Sequence, residues 1–144
     1  MDYRILGSTG VKVSSLCFGT MSFGGDADEQ TSAAMFNRCR DAGINFFDCA
    51  NVYQKGRSEE ILGELIKNCR DEVVITTKAY FPMGADVNAR GAHRRHLMQA
   101  VEGSLIAAAQ GAPEALKRPL FQHELVCDGG ECSAHERIRL SERE

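Results

Sequence analysis

Blocks of extended and helical patterning alternate along the front of the chain. Tyr3–Leu6 and Val11–Ser14 are short extended stretches around Gly7-Ser8-Thr9-Gly10, a turn-forming cluster, so the chain opens on a predicted hairpin. Leu16-Cys17-Phe18-Gly19 reads as a buried strand and runs into the loop Thr20-Met21-Ser22-Phe23-Gly24-Gly25. From Asp28 the period becomes helical, with Met35, Phe36, Cys39 and Ala42 on one stripe and Gly43 as the stop. Asn45-Phe46-Phe47-Asp48 is the next strand. A second helix is predicted over Glu59–Cys69, its apolar face made by Ile61, Leu62, Leu65, Ile66 and Cys69. Ser58 suits its N-cap, and Glu59 and Glu60 suit the positive end of its dipole. Val73-Val74-Ile75-Thr76-Thr77 has the β-branched character of a parallel strand covered on both faces. Leu97, Val101, Ser104, Leu105 and Ala108 outline a third helix.

A hairpin followed by three strand–helix units, the second and third strands starting about 28 residues apart, is the order of an α/β protein with a parallel sheet. Functional residues in such folds gather at the carboxyl edge of the sheet. The texture changes after Leu105: residues 106–144 hold no β-branched strand where the repeat calls for one. We therefore expect two regions, an ordered 1–105 and a divergent tail, 106–144, that is helical or disordered.

Composition narrows the class. With 43% hydrophobic and 26% charged residues, the chain as a whole is globular rather than disordered. No apolar run approaches the roughly 20 residues a bilayer span requires, so no membrane role is expected. The net charge of −3 comes with scattered basic residues, which argues against a nucleic-acid surface. The amino terminus lacks a basic segment leading into an apolar stretch, so no export signal is visible and a cytoplasmic location is expected. The six cysteines are then reduced, and Cys17, Cys39, Cys49 and Cys69 are expected as small buried apolar residues.

Three polar residues stand at strand ends. Asp48 closes the second strand, Lys78 closes the third, and Tyr53 lies in the loop after Asp48. On adjacent parallel strands Asp48 and Lys78 emerge side by side, and the short loop can fold Tyr53 over them. An ammonium beside a phenol favours the phenolate and makes the phenol a better proton donor. Asp48 would hold Lys78 charged and aimed. Such a group can protonate a carbonyl oxygen while hydride arrives at the carbon. The competing reading of each residue alone is structural: a turn-capping Asp, a packed Tyr and a solvated Lys.

Gly43-Ile44-Asn45-Phe46-Phe47-Asp48-Cys49-Ala50-Asn51-Val52-Tyr53, followed by Gly56-Arg57-Ser58-Glu59-Glu60-Ile61-Leu62-Gly63, resembles the aldo-keto reductase signature. Leu16-Cys17-Phe18-Gly19-Thr20-Met21, the strand ending in Thr77-Lys78, and Arg94-Arg95-His96-Leu97 through Glu102-Gly103-Ser104-Leu105 resemble the same family. The resemblance covers roughly residues 3 to 105 and is nearest the branch of bacterial reductases and potassium-channel β subunits. It implies a (β/α)8 TIM barrel closed below by the hairpin, with NADPH reducing aldehydes or ketones. Asp48, Tyr53 and Lys78 take three of the family's four catalytic places, with Tyr53 as general acid. Gly19, Thr20 and Asp48 fall where the family approaches the nicotinamide end of NADP. Met21 and Phe23 either line the substrate mouth or pack within their loop.

Departures from the family matter as much. The fourth catalytic residue is a His at the end of a fourth strand, and no such strand follows Leu105 here. His123 comes late and lacks a preceding apolar run. A complete barrel of this kind takes about 250 residues, so three units make a truncated one with little activity of its own. Its last strand would present an unpaired edge and invite self-association. A non-catalytic fragment that binds a full-length relative or another partner is the alternative function. In the tail, His123, Cys127, Cys132 and His135 have zinc-capable side chains at a spacing unlike common fingers, and no metal site is assigned to them. His93 and His96 beside Arg90, Arg94 and Arg95 either meet a phosphate at a helix start or form a solvated face, the second being favoured.

Overall fold

The computed structural model describes residues 1–109. The hairpin forms as expected, β1 (Tyr3–Ile5) pairing antiparallel with β2 (Lys12–Ser14). Three strands, β3 (Phe18–Gly19), β4 (Phe46–Asp48) and β5 (Val74–Thr76), make a parallel sheet in sequential order. Helix α1 (Glu29–Asp41) joins β3 to β4, α2 (Arg57–Ile66) joins β4 to β5, and α3 (Arg94–Ala109) follows β5. The hairpin is tied to the amino end of β4 through Asn45. Its Oδ1 accepts from the Ser14 backbone at 2.7 Å, and its Nδ2 donates to the Lys12 carbonyl at 3.1 Å. The opposite, carboxyl edge of the sheet is thereby left to the loops.

Local signals explain most element ends. Asp28 caps α1 by accepting from the Thr31 backbone at 2.7 Å. The helix stops at Gly43, whose φ of +83° a side-chain-bearing residue rarely adopts. Its inward stripe is Ser32 and Phe36, with Cys39 partly buried; Met35, expected inside, is exposed. Helix α2 starts earlier than predicted, with Gly56 at its N-cap and Ser58 inside its first turn. Ser58 has a stronger use than capping: fully buried, its hydroxyl donates to the Thr20 carbonyl at 2.7 Å. Helix α3 runs past Leu105 to Ala109. His93, an unusual N-cap, does serve as one, its Nδ1 accepting from the His96 backbone at 3.2 Å.

The core lies between the sheet and the helices. Phe47 of β4 is fully buried, its ring 4.9 Å from Phe36 and 6.2 Å from Phe18. Ile61, Leu62 and Ile66 of α2 close over it, as their helical spacing predicted. Alternation along a strand puts Phe47 and Ile75 toward the helices and Phe46, Asp48, Val74 and Thr76 toward the other face. That second face is only half-buried, so β5 is not covered on both sides as its β-branched run suggested. The cysteines differ among themselves: Cys49 is buried, Cys39 and Cys69 intermediate, and Cys17 exposed. The expectation of four buried cysteines therefore holds for one. The zinc-capable set and His123 lie outside the described residues.

Glu59 suits the positive end of the helix dipole but does more. It is buried, and its carboxylate accepts from Thr77 Oγ1 at 2.7 Å, joining α2 to the end of β5. Burial raises its pKa above the ordinary glutamate range, while hydrogen bonds from Thr77 and Ser104 pull the other way and only partly offset it. A raised folded-state pKa favours the protonated carboxyl, so ionisation costs stability as pH climbs from the unfolded value, about 4.3, through the native one. Glu59→Gln should remove that pH-dependent loss and raise the denaturation midpoint at neutral pH. Urea unfolding across the acid range checks this, and a Gln variant that parallels the wild type at every pH refutes it.

Candidate active site at the carboxyl edge of the sheet

Strand register brings the three predicted residues together. Asp48 pairs with Gly19 on one side and Thr76 on the other, so its carboxylate leaves the sheet on the half-open face. The β4–β5 ladder extends past the strand ends, with Cys49 N donating to Thr76 O at 2.8 Å and Asn51 N to Lys78 O at 3.1 Å. Lys78 is therefore fixed by backbone as well as by its head group.

The Lys78 ammonium lies 2.5 Å from Asp48 Oδ2 and donates to the Cys49 carbonyl at 2.7 Å. Asp48 Oδ1 accepts from Thr76 Oγ1 at 2.9 Å, which keeps the carboxylate from turning away. Tyr53 completes the group, its ring centroid 5.1 Å from Lys78 Nζ, within cation–π range. Burial alone would lower the Lys78 pKa. The hydrogen bond and charge of Asp48, with a contribution from the Tyr53 hydroxyl, outweigh it and lift the pKa above the ordinary amine range. Lys78 is thus a held positive charge at neutral pH.

Gly19 and Thr20 take different places around this group. Gly19 is exposed, and a Cβ built on it meets nothing within 4 Å, so a ligand can approach its backbone. Thr20 is fully buried. Its Oγ1 donates to the Asp48 carbonyl at 3.1 Å, and its own carbonyl accepts from Ser58. Thr20 therefore braces the turn from beneath. Met21 is exposed at 64%, whereas Phe23 is fully buried in the core, so the loop-packing reading is the right one for Phe23.

Sequence reasoning missed Ser58 and Cys17. Ser58 lies 3.1 Å from Thr20 Oγ1 and 3.3 Å from Cys49 Sγ, so one hydroxyl links the first loop, the second loop and α2. Its place in a helical first turn gave only a capping signal. Cys17 is exposed as a residue but partly enclosed, and it lies near the Asp48–Lys78 pair. Burial first and the Asp48 charge second push its pKa up to about 11, against the pull of Lys78. It is consequently protonated and poorly nucleophilic at neutral pH. His96 is buried with its Nε2 unpartnered among the described residues, while Arg90, Arg94 and Arg95 are exposed. The described residues contain no cluster of metal-ligating side chains and no helix long and apolar enough to cross a membrane.

Known proteins similar to this chain come from plants and bacteria. The chain is 40% identical over 109 residues to a protein of Oryza sativa subsp. japonica named as a probable voltage-gated potassium channel subunit beta, covering 73% of this chain and 33% of the relative. It is also 40% identical over 117 residues to the uncharacterized oxidoreductase YrpG of Bacillus subtilis, covering 73% and 36%. Among solved structures, the holo form of the aldo-keto reductase AKR11C1 from Bacillus halodurans superposes with a TM-score of 0.65 at 30% identity, over 75% of this chain and 36% of that one. The chain thus spans about a third of the length of the curated relatives it matches. The model of the aldo/keto reductase family matches residues 15–107, a stretch holding β3 to β5, Asp48, Tyr53 and Lys78, and the chain belongs to that family.

Proposed function

We propose that this chain carries the proton-donating part of an NADP-dependent carbonyl reductase, the opening units of a TIM barrel that works on a small aldehyde or ketone. The observation that carries this reading is the Lys78 ammonium fixed between Asp48 and the Cys49 carbonyl with the Tyr53 ring beside it. Tyr53 Oη gives its proton to the carbonyl oxygen of the substrate. Negative charge develops on the phenol oxygen as the proton leaves, and the fixed charge of Lys78 stabilises it. Asp48 keeps that charge in place, and Thr76 keeps Asp48 in place.

A reduced nicotinamide, when bound, would supply the hydride for the carbonyl carbon. The residues present fit one end of such a group. Gly19 leaves open space where a Cβ would stand, Asp48 borders it in the next strand, and Thr20 fixes the turn between them. Membership in the family supports a reductase, and a cytoplasmic location is part of the same reading.

The test is NADPH oxidation with a reactive aldehyde in two settings: the chain alone, and residues 1–107 joined to the remaining portion of the Bacillus subtilis relative. Alone, the chain turns over no faster than its Tyr53→Phe variant. Joined, it reduces the aldehyde. A joined protein that folds and binds NADPH yet stays inert refutes the reading.

A second reading, a non-catalytic fragment that binds a relative or a second copy of itself, is favoured by one feature. The outer edge of β5 carries no strand among the described residues, and an open edge next to apolar side chains promotes pairing. Sedimentation of the chain alone should show dimers or larger species. A monomer with one sharp thermal transition argues against this reading.

A further inference from the structure

Three successive residues after Tyr53 occupy the left-handed backbone region. Gln54 has φ 48° and ψ 36°, Lys55 φ 57° and ψ 40°, and Gly56 φ 94° and ψ −15°. Gly56 takes this conformation freely. Gln54 and Lys55 are the non-glycine residues with positive φ among those described, and they are consecutive. A Cβ is crowded in this region, and left-handed residues normally occur singly. Such strain persists only where the surroundings over-determine it.

The surroundings here clamp the segment at both ends. Tyr53 N donates to Ala50 O and Lys55 N to Val52 O, each at 3.1 Å, on the side of the Asp48 loop. On the other side, the backbone N–H of Arg57 bonds to the Tyr53 and Gln54 carbonyls, so the first residue of α2 holds Tyr53 directly. Gln54 also reaches across to the first loop. A Cβ on Gly25 would stand 2.5 Å from its Nε2 and 2.7 Å from its Cδ. The adjacent Gly24 lies as close to Arg57, where a Cβ would be 2.6 Å from Cγ. Arg57 is itself ion-paired with Glu29 and Glu60. A glycine at position 54 would relieve the strain but could not span to Gly25.

We propose that Gln54-Lys55-Gly56 is a rigid arch that sets the Tyr53 ring against the Lys78 ammonium, with Gln54, seated on Gly25, as its positioning residue. The catalytic consequence rests on the reductase reading; the geometric one does not. The experiment incorporates 3-fluorotyrosine into the full chain and assigns the Tyr53 resonance by its loss in Tyr53→Phe. Lys78→Met should displace that resonance, because it removes a charge next to the ring.

In the Gln54→Gly/Lys55→Gly variant the displacement should fall by at least half, with the melting temperature within about 2 °C of the parent. Lys55→Asn, which leaves Gln54 on Gly25, should retain it, since asparagine accepts the left-handed region. Gly25→Ala, which removes only the seat, should lose it as the glycine pair does. It also decides the matter if the glycine pair unfolds. An undiminished displacement in Gly25→Ala, or one lost equally in Lys55→Asn, overturns the arch. In the joined protein, Gly25→Ala should lower kcat by about 10-fold or more with KM little changed. A displacement that follows the arch in a joined protein without turnover would support the arch and sink the reductase reading alone.

Discussion

Tyr53→Phe, placed in residues 1–107 joined to the rest of the Bacillus subtilis relative, should lower aldehyde-dependent NADPH oxidation by about 100-fold or more. The substitution removes one oxygen and leaves the ring, which packs at the edge of the core, so the melting temperature should not move. NADPH binding should also persist, because Gly19 and Asp48 do not depend on the phenol oxygen. This combination separates loss of a proton donor from loss of structure. Lys78→Met should be nearly as damaging to turnover but differ in its pH behaviour. Because the folded-state pKa of Lys78 is raised, the stability it contributes is fully present below the unfolded value, about 10.4, and fades as pH rises through the native one. Wild-type stability should therefore fall at high alkaline pH more than that of the Met variant. Equal turnover in Tyr53→Phe and wild type would remove Tyr53 from the chemistry.

Phe47→Ala should abolish cooperative unfolding of the chain. Phe47 is fully buried at the centre of the parallel sheet, against Phe36 and Phe18, with β3 on one side and β5 on the other. Deleting a phenylalanine from a packed core costs about 3–5 kcal/mol. A small domain holds about 5–15 kcal/mol in total, and a sheet with one half-open face has little to spare. The next residue is Asp48, so the site should be lost with the core. Far-ultraviolet circular dichroism during heating checks the outcome, and a sharp transition within a few degrees of wild type would show that the core is organised differently. Phe46→Ala, on the half-buried face, is the control and should cost far less.

Most of the fold and the central trio could be read from the amino-acid order. Phe36, Ile61, Leu62 and Ile66 fall at helical spacing, and Phe46-Phe47-Asp48 and Val74-Ile75-Thr76 have strand character, so the βα order follows from one-dimensional patterning. Asp48 and Lys78 stand at the ends of adjacent strands, which is enough to place them side by side. The same patterning failed where a side chain had two possible partners. Ser58 matched the signature of a cap, and Phe23 sat in a loop where an aromatic residue can face either way. Cys17 looked like a buried strand residue, yet it precedes a short strand with one open face.

The sequence by itself determined the succession of elements, the hairpin at the amino end and the three polar residues at the opposite edge. Periodicity and turn chemistry act between near neighbours, and those constraints are written locally. Only the tertiary structure decided that Ser58 reaches Thr20 across 38 positions, that Glu59 is spent on Thr77, and that Gln54 and Lys55 are left-handed, with the Gln54 side chain against Gly25. Those choices depend on how two loops and a helix start meet in space, and a contact between distant segments has no period along the chain to announce it.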